Sequence, residues 1–246
     1  MDPSIFRVLQ TSSGTVERTW HDLGEIQLLA GLTREELQRV DRCLVAERRK
    51  VPQAGVLFRT GDRFDSVYEV RTGFFKTVVN SSRGAEQVTG FQMAGELLGL
   101  EAVGTRRHAL DAIALEDSLV WALRYDDLAA ASREIPALQE QFHCRMSAGI
   151  ASAHATMLQL GSMCAEERLA SFLLDLMHRL GVRGFSPTSA QLRMSRAEIG
   201  SLLGLKPETV SRTLSKLQNA GLLQVQQRTI TVTDSPGLRR ILRGMA

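Results

Sequence analysis

The run from Met194 to Arg212, MSRAEIGSLLGLKPETVSR, restricts the fold more than any other stretch of the chain. Ser195 followed three residues on by Glu198 is a capping box, which satisfies orphan donors of a first helical turn, so the spacing predicts a helix opening at Arg196. Gly204 can take the left-handed conformation that a tight turn needs. Pro207 suits the first position of a second helix, where its missing N–H is no loss. Ile199, Leu202, Val210, Leu214 and Leu217 can bury where the two helices cross, leaving Glu208, Ser211, Arg212 and Ser215 on the opposite side. A braced helix with a polar outer face is the geometry of a helix-turn-helix recognition element, although a compact helical pair that never touches nucleic acid has the same periodicity.

The residues C-terminal to this run favour nucleic acid. Gly221 ends the second helix, and Leu222–Val225 and Thr229–Val232 read as two strands around Gln226, Gln227 and Arg228, a wing. Residues 165–246 carry twelve Lys/Arg against six Asp/Glu, about +6, while the remainder carries eighteen against twenty-one, about −3, which together make the net +3. Phosphate contacts need such a local concentration of positive charge. Lys206, Thr209, Lys216 and Arg228 therefore join Glu208, Ser211, Arg212 and Ser215 as candidate contacts to double-stranded DNA.

The remaining chain supplies a second domain. Residues 1–24 show no sustained periodicity and read as an extension. Within 25–133, Thr33 and Glu36 form another capping box ahead of Leu37, Val40 and Leu44. Short β-type runs then fall at 56–58, 66–70, 74–79, 86–91 and 118–123, separated by glycines, so the fold class is α+β with an N-terminal β-sandwich, barrel or jelly roll (β-roll). Residues 134–164 read as one long helix. Gln139, His143, Met146, Ile150, Ala153, Met157, Leu160 and Cys164 alternate four and three apart, a heptad seam suited to a homodimer; a single helix packed within its own core is the alternative. The winged helix-turn-helix occupies 165–246, opening with an amphipathic helix from Ala165 and ending with a short one near Gly237–Leu242. No apolar run is long enough to span a membrane, the N-terminus lacks signal-peptide character, and the three cysteines are far apart, so a cytoplasmic protein is expected. No nucleophile elbow, phosphate loop or metal-ligand spacing points to an enzyme.

Three segments carry a family resemblance: Glu86–Gly99 (EQVTGFQMAGELLG), Ala165–Phe172 (AEERLASF) and Glu208-Thr209-Val210-Ser211-Arg212. Over about residues 25–246 the chain resembles the cyclic-AMP receptor protein/FNR family of bacterial transcription regulators, its FNR branch above all. The resemblance implies that Glu208, Ser211 and Arg212 read a TTGAT-type half-site, that the protein is an activator, and that the loop Asn80–Ala85 touches RNA polymerase. Two sensory features depart from the family. FNR-type iron–sulfur clusters need about four thiolates, yet no cysteine precedes Cys43 and Trp121 stands where the internal ligand would, so no such cluster and no other cofactor is expected. The phosphate cassette of the cyclic-nucleotide receptors keeps Gly95, Glu96 and Arg107, but His108 and Ala109 follow, without the hydroxyl. An effector-dependent regulator binding a cyclic nucleotide, another anion or haem is the alternative. Ala153 replaces an acidic seam residue of some oxygen-responsive relatives, which implies a dimer without any cofactor, and Cys164 on the seam is expected to cross-link it on oxidation.

Overall fold

The computed structural model describes residues 7–11, 14–18, 23–80, 84 and 86–244. The chain forms two compact units: Met1–Asn80 with Thr89–Gly149, and Ser81–Val88 with Ile150–Ala246.

In the first unit, strands β1 (Arg7–Thr11) and β2 (Gly14–Arg18) pair with each other, where the sequence suggested no element. Neither RVLQT nor GTVER alternates apolar with polar residues, so neither carries the pattern of a half-buried strand. The roll is built from β3 (Ala46–Val51), β4 (Val56–Phe58), β5 (Ser66–Thr72), β6 (Phe74–Asn80), β7 (Glu86–Met93), β8 (Leu97–Leu98), β9 (Asp111–Ala114) and β10 (Ser118–Arg124). They form two four-stranded sheets, ordered β3-β10-β5-β8 and β4-β9-β6-β7. Alternation along β10 explains its continuous apolar run. Val120 and Ala122 enter a core with Phe58, Tyr68, Val70 and Phe75, while Trp121 and Leu123 enter a second core with Leu28, Val40, Leu128 and Leu138.

That second core needs helical cover. Helix α1 (Arg34–Cys43) starts at the expected capping box, Thr33 Oγ1 accepting from Glu36 N at 3.3 Å. Helix α2 (Tyr125–Glu134) was not expected, nor were β3, β8 and β9. β3 reads as polar because it is a sheet edge with Arg48, Arg49 and Lys50 outward. β9 reads as featureless because its core residues are Ala112 and Ala114, small side chains at a tightly filled site. Leu23 is also core, so the expected extension over 1–24 ends earlier than the sequence suggested. The segment after it is fastened by Glu69 in β5: its carboxylate, 1% exposed, accepts from Gln27 N at 2.6 Å and Leu28 N at 2.8 Å. Burial raises the Glu69 pKa, with the two N–H bonds opposing it.

Helix α3 (Pro136–Ser162) is the long element. Leu138 and Phe142 are buried in the second core of the first unit, and Met146 leans against it half-buried, so Met146 is not a free seam residue. Beyond it, Ile150 (58% exposed), Met157 and Leu158 are uncovered. The helix stops at Ser162. Cys164 instead caps α4 (Ala165–Val182), its N–H donating to Glu167 Oε2 at 2.6 Å, so the predicted seam loses its last member. The chain continues through β11 (Ser189–Gln191), α5 (Arg196–Leu203), α6 (Pro207–Asn219), β12 (Leu223–Gln226), β13 (Thr229–Val232) and α7 (Ser235–Leu242). The last three strands form one sheet in the order β11-β13-β12, and β11 is an addition to the expected two-stranded wing.

Candidate nucleic-acid interface

The second unit assembles the helix-turn-helix as its capping residues dictate. Ser195 Oγ accepts from Glu198 N at 3.2 Å, and Ser195 N donates to Glu198 Oε2 at 2.7 Å. Gly204 takes φ +62 at the turn, and Leu205 N closes it on Gly200 O at 2.8 Å. Gly200 has a role that sequence reasoning missed. A Cβ there would lie 2.5 Å from Leu205 O, so only glycine lets the turn fold back this closely. Ile199, Val210, Leu214 and Leu217 are buried between the helices as expected. Leu203 takes the buried place assigned to Leu202, which is half-buried.

Burial on one side of α6 leaves the other side to solvent. Glu208, Ser211, Arg212, Ser215 and Lys216 are exposed, as is Lys206 at its N-cap, while Thr209 is half-buried. Ser211 Oγ donates to Pro207 O at 3.1 Å and Ser215 Oγ to Ser211 O at 3.2 Å. With their protons committed to the helix backbone, both hydroxyls present acceptors outward. Lys216 does not stand free. Its ammonium is paired with Glu166 of α4.

The wing carries a second cationic group. β12 and β13 join through Gln227, at φ +55, and Arg228, whose Nη2 donates to Arg193 O at 2.9 Å. Half-buried Arg196, at the start of α5, has its Nη1 buried without a hydrogen-bond partner among the described residues. Burial, then the Arg228 charge, pushes the Arg196 pKa down. Two guanidiniums set against each other at a helix N-terminus are relieved by an anion, and a backbone phosphate is the anion a DNA duplex offers. Arg196 lies inside the Met194–Arg212 run, where the sequence marks it only as the first helical residue. Its charge was visible there; its burial was not.

Comparison with known proteins agrees with this geometry. The family of Crp-like helix-turn-helix domains matches residues 167–241, and the cyclic nucleotide-binding domain family matches 48–134. The transcriptional regulatory protein btr of Bordetella pertussis is 40% identical over 220 residues, covering 89% of this chain and 90% of the relative. The chain belongs to the Crp/Fnr family of transcription regulators. The fumarate and nitrate reduction regulatory protein of Escherichia coli K12 is 35% identical over 238 residues, 96% of this chain and 94% of that one. Among solved structures, FixK2 from Bradyrhizobium japonicum superposes with a TM-score of 0.73 at 31% identity, over 80% of this chain and 97% of that one. The relatives are regulators rather than enzymes, and no helix among the described residues of this Crp/Fnr protein is long and apolar enough to cross a membrane.

Each of the expected effector residues has a local contact or turn role in this Crp/Fnr chain. Gly95 takes φ +80 in a turn where Glu96 Oε2 accepts from Met93 N at 3.2 Å. Arg107 sends Nη1 to Gly61 O at 2.8 Å. His108 is buried, stacked on Phe58 with centroids 3.7 Å apart, its Nδ1 3.0 Å from Glu101 Oε1. The ring thus occupies core space at the position where the family's cassette presents a hydroxyl. The three cysteines are exposed, on helix α1, helix α3 and the α4 N-cap, and Trp121 is packed in the core. Of the loop expected to meet RNA polymerase, Ser81, Ser82, Arg83 and Ala85 lie outside the described residues.

Proposed function

We propose that this Crp/Fnr regulator is a homodimer that reads an inverted repeat of TTGAT-like half-sites, works in the cytoplasm without an iron–sulfur cluster, and activates transcription through RNA polymerase. The observation that carries the reading is the outer face of α6, where Glu208, Ser211 and Arg212 are exposed within one helical turn of each other while Val210 and Leu214 bury behind them. Arg212 suits the O6 and N7 acceptors of guanine, Glu208 accepts from a cytosine amino group, and Ser211 offers its oxygen to an amino group or its carbon to a thymine methyl. Lys206, Arg196 and Arg228 serve the phosphates on either side, fixing register without choosing sequence.

The dimer rests on the far half of α3. Ile150, Met157 and Leu160, with His143 and Ala153 on the same face, form an apolar stripe that one chain leaves in water. Burying such side chains stabilises by about 1.5–3 kcal/mol each, and two-fold pairing supplies the two recognition helices that an inverted repeat requires. The test is selection of bound duplexes from a random pool, with sedimentation of the ligand-free protein in parallel. Enrichment of an inverted repeat by a dimer supports the proposal; a monomer selecting no repeat under any redox condition refutes it.

A further inference from the structure

Three backbone carbonyls from the ends of two helices converge on one side chain. Arg168, in the first turn of α4, donates from Nε to Met163 O at 2.8 Å, from Nη2 to Leu160 O at 2.9 Å and from Nη1 to Leu203 O at 2.9 Å. Leu160 and Met163 stand at the end of α3, Leu203 at the end of α5. Such carbonyls are the acceptors that a helix leaves unsatisfied at its C-terminus, where a cation is also favoured. A guanidinium, with five donors in a rigid plane, can serve three of them in different directions, and an ammonium on a flexible stem cannot hold the same geometry. The position is otherwise unfavourable, because a cation in the first turn of α4 opposes that helix's own dipole.

The same joint is closed from the other side by the helix-turn-helix. A Cβ on Gly204 would stand 3.1 Å from Leu160 Cδ2 and 3.2 Å from Arg168 Nη1, so the turn between α5 and α6 rests on the last turn of α3. Gln159 Nε2 adds a tie to Ser171 Oγ of α4 at 2.9 Å. These contacts between the end of the long helix and the recognition unit run through Arg168 or immediately beside it.

We propose that Arg168 is a positioning residue that sets the half-site spacing this regulator accepts. It touches no base. It fixes the direction of α6 against the end of α3, and in a dimer built on α3 the two recognition helices are thereby held at one separation, about one DNA turn or 34 Å. The proposal rests on the homodimer reading above, and its failure is separable from the failure of that reading.

The test uses full-length protein and duplexes in which two selected half-sites are separated by the selected spacer, by one base pair fewer, and by one and two more. Wild type is expected to discriminate against each wrong spacer by about tenfold or more, the scale of a mismatched base pair. Arg168→Met is expected to flatten this to about threefold or less, while single-base substitutions within the half-site keep their wild-type penalties. Arg168→Lys, which keeps charge and stem and serves if the Met variant does not fold, should fall between the two. A variant that binds more weakly overall but retains the wild-type spacing profile overturns the proposal alone. Wild type binding single half-sites as well as any repeat overturns the dimer reading, and this inference with it.

Discussion

Gly200→Ala asks whether the close approach inside the helix-turn-helix is real. In an unobstructed helix interior the substitution stabilises by about 1 kcal/mol, since alanine is the better helix former. Here the added Cβ would meet Leu205 O at 2.5 Å, against ordinary contact from 3.4 Å, and it reaches Val210 Cγ2 at 3.5 Å. The neighbour is backbone in the turn, so relief means moving the start of α6 outward by about 0.9 Å, the difference between those first two distances. Overpacking of this kind costs about 1–3 kcal/mol, and subtracting the propensity gain leaves a net loss of up to about 2 kcal/mol. For a domain of this size each kcal/mol lowers Tm by about 4–8 °C. The same displacement carries Glu208 and Arg212 out of register with the base edges, so specific binding should weaken about tenfold or more at temperatures where the variant is folded. Thermal unfolding followed by circular dichroism, with fluorescence anisotropy on the selected duplex, reads both effects. A Tm that rises, with binding unchanged, would mean that the turn has room, and the argument for glycine at 200 would fail.

Other outcomes rest on single contacts. Arg212→Ala should cost about 1–3 kcal/mol on the selected site and relax preference at one base pair; equal weakening on selected and scrambled duplex would make Arg212 a phosphate contact instead. Arg196→Ala is expected to do the reverse, weakening both duplexes alike and reducing the salt slope by about 1, measured by titration at several salt concentrations. Ser195→Ala removes the acceptor for Glu198 N and should destabilise by about 1 kcal/mol in urea unfolding. Glu69 has a folded pKa raised above its ordinary 4.5, so the folded state holds that proton to higher pH than the unfolded chain. Its contribution is therefore full below pH 4.5 and declines as pH rises through the folded value. Glu69→Gln should remove that slope in urea midpoints between acid and neutral pH, and an unchanged slope would show that Glu69 does not titrate differently on folding.

How much of this was legible before the structure depended on whether a residue's role is local. The capping boxes at Thr33 and Ser195, the left-handed Gly204 and the proline opening α6 are set by neighbours within four residues, and each stands where the spacing placed it. β10 was legible for a different reason: Ser118–Arg124 is buried on both faces, so its apolar run is continuous. β3 and β9 were not, because one is an edge strand made of charges and the other fills its core with alanine. Their strand character comes from partners distant in sequence, Arg48 opposite Trp121 and Ala112 opposite Thr77, and no window along the chain contains both members of such a pair.

The interface divides along the same line. Glu208, Ser211 and Arg212 could be named from a helical wheel because exposure on a short amphipathic helix follows from period alone. The roles of Lys216 and His108 could not, because each depends on a partner the wheel does not show. Lys216 is turned toward Glu166, fifty residues earlier, and His108 is turned inward onto Phe58 and Glu101. Arg196 and Arg168 are the complementary case, cations whose importance lies in what surrounds them. Arg196 is half-buried beside another guanidinium with one nitrogen unpartnered among the described residues, whereas Arg168 has a carbonyl for each of its three nitrogens. An arginine left incomplete by its own fold has capacity for an external anion, and one completed by its fold holds elements in place. That contrast assigns phosphate contact to the first and interhelical geometry to the second, and it is why the two substitutions should separate in the salt slope and in the spacing profile.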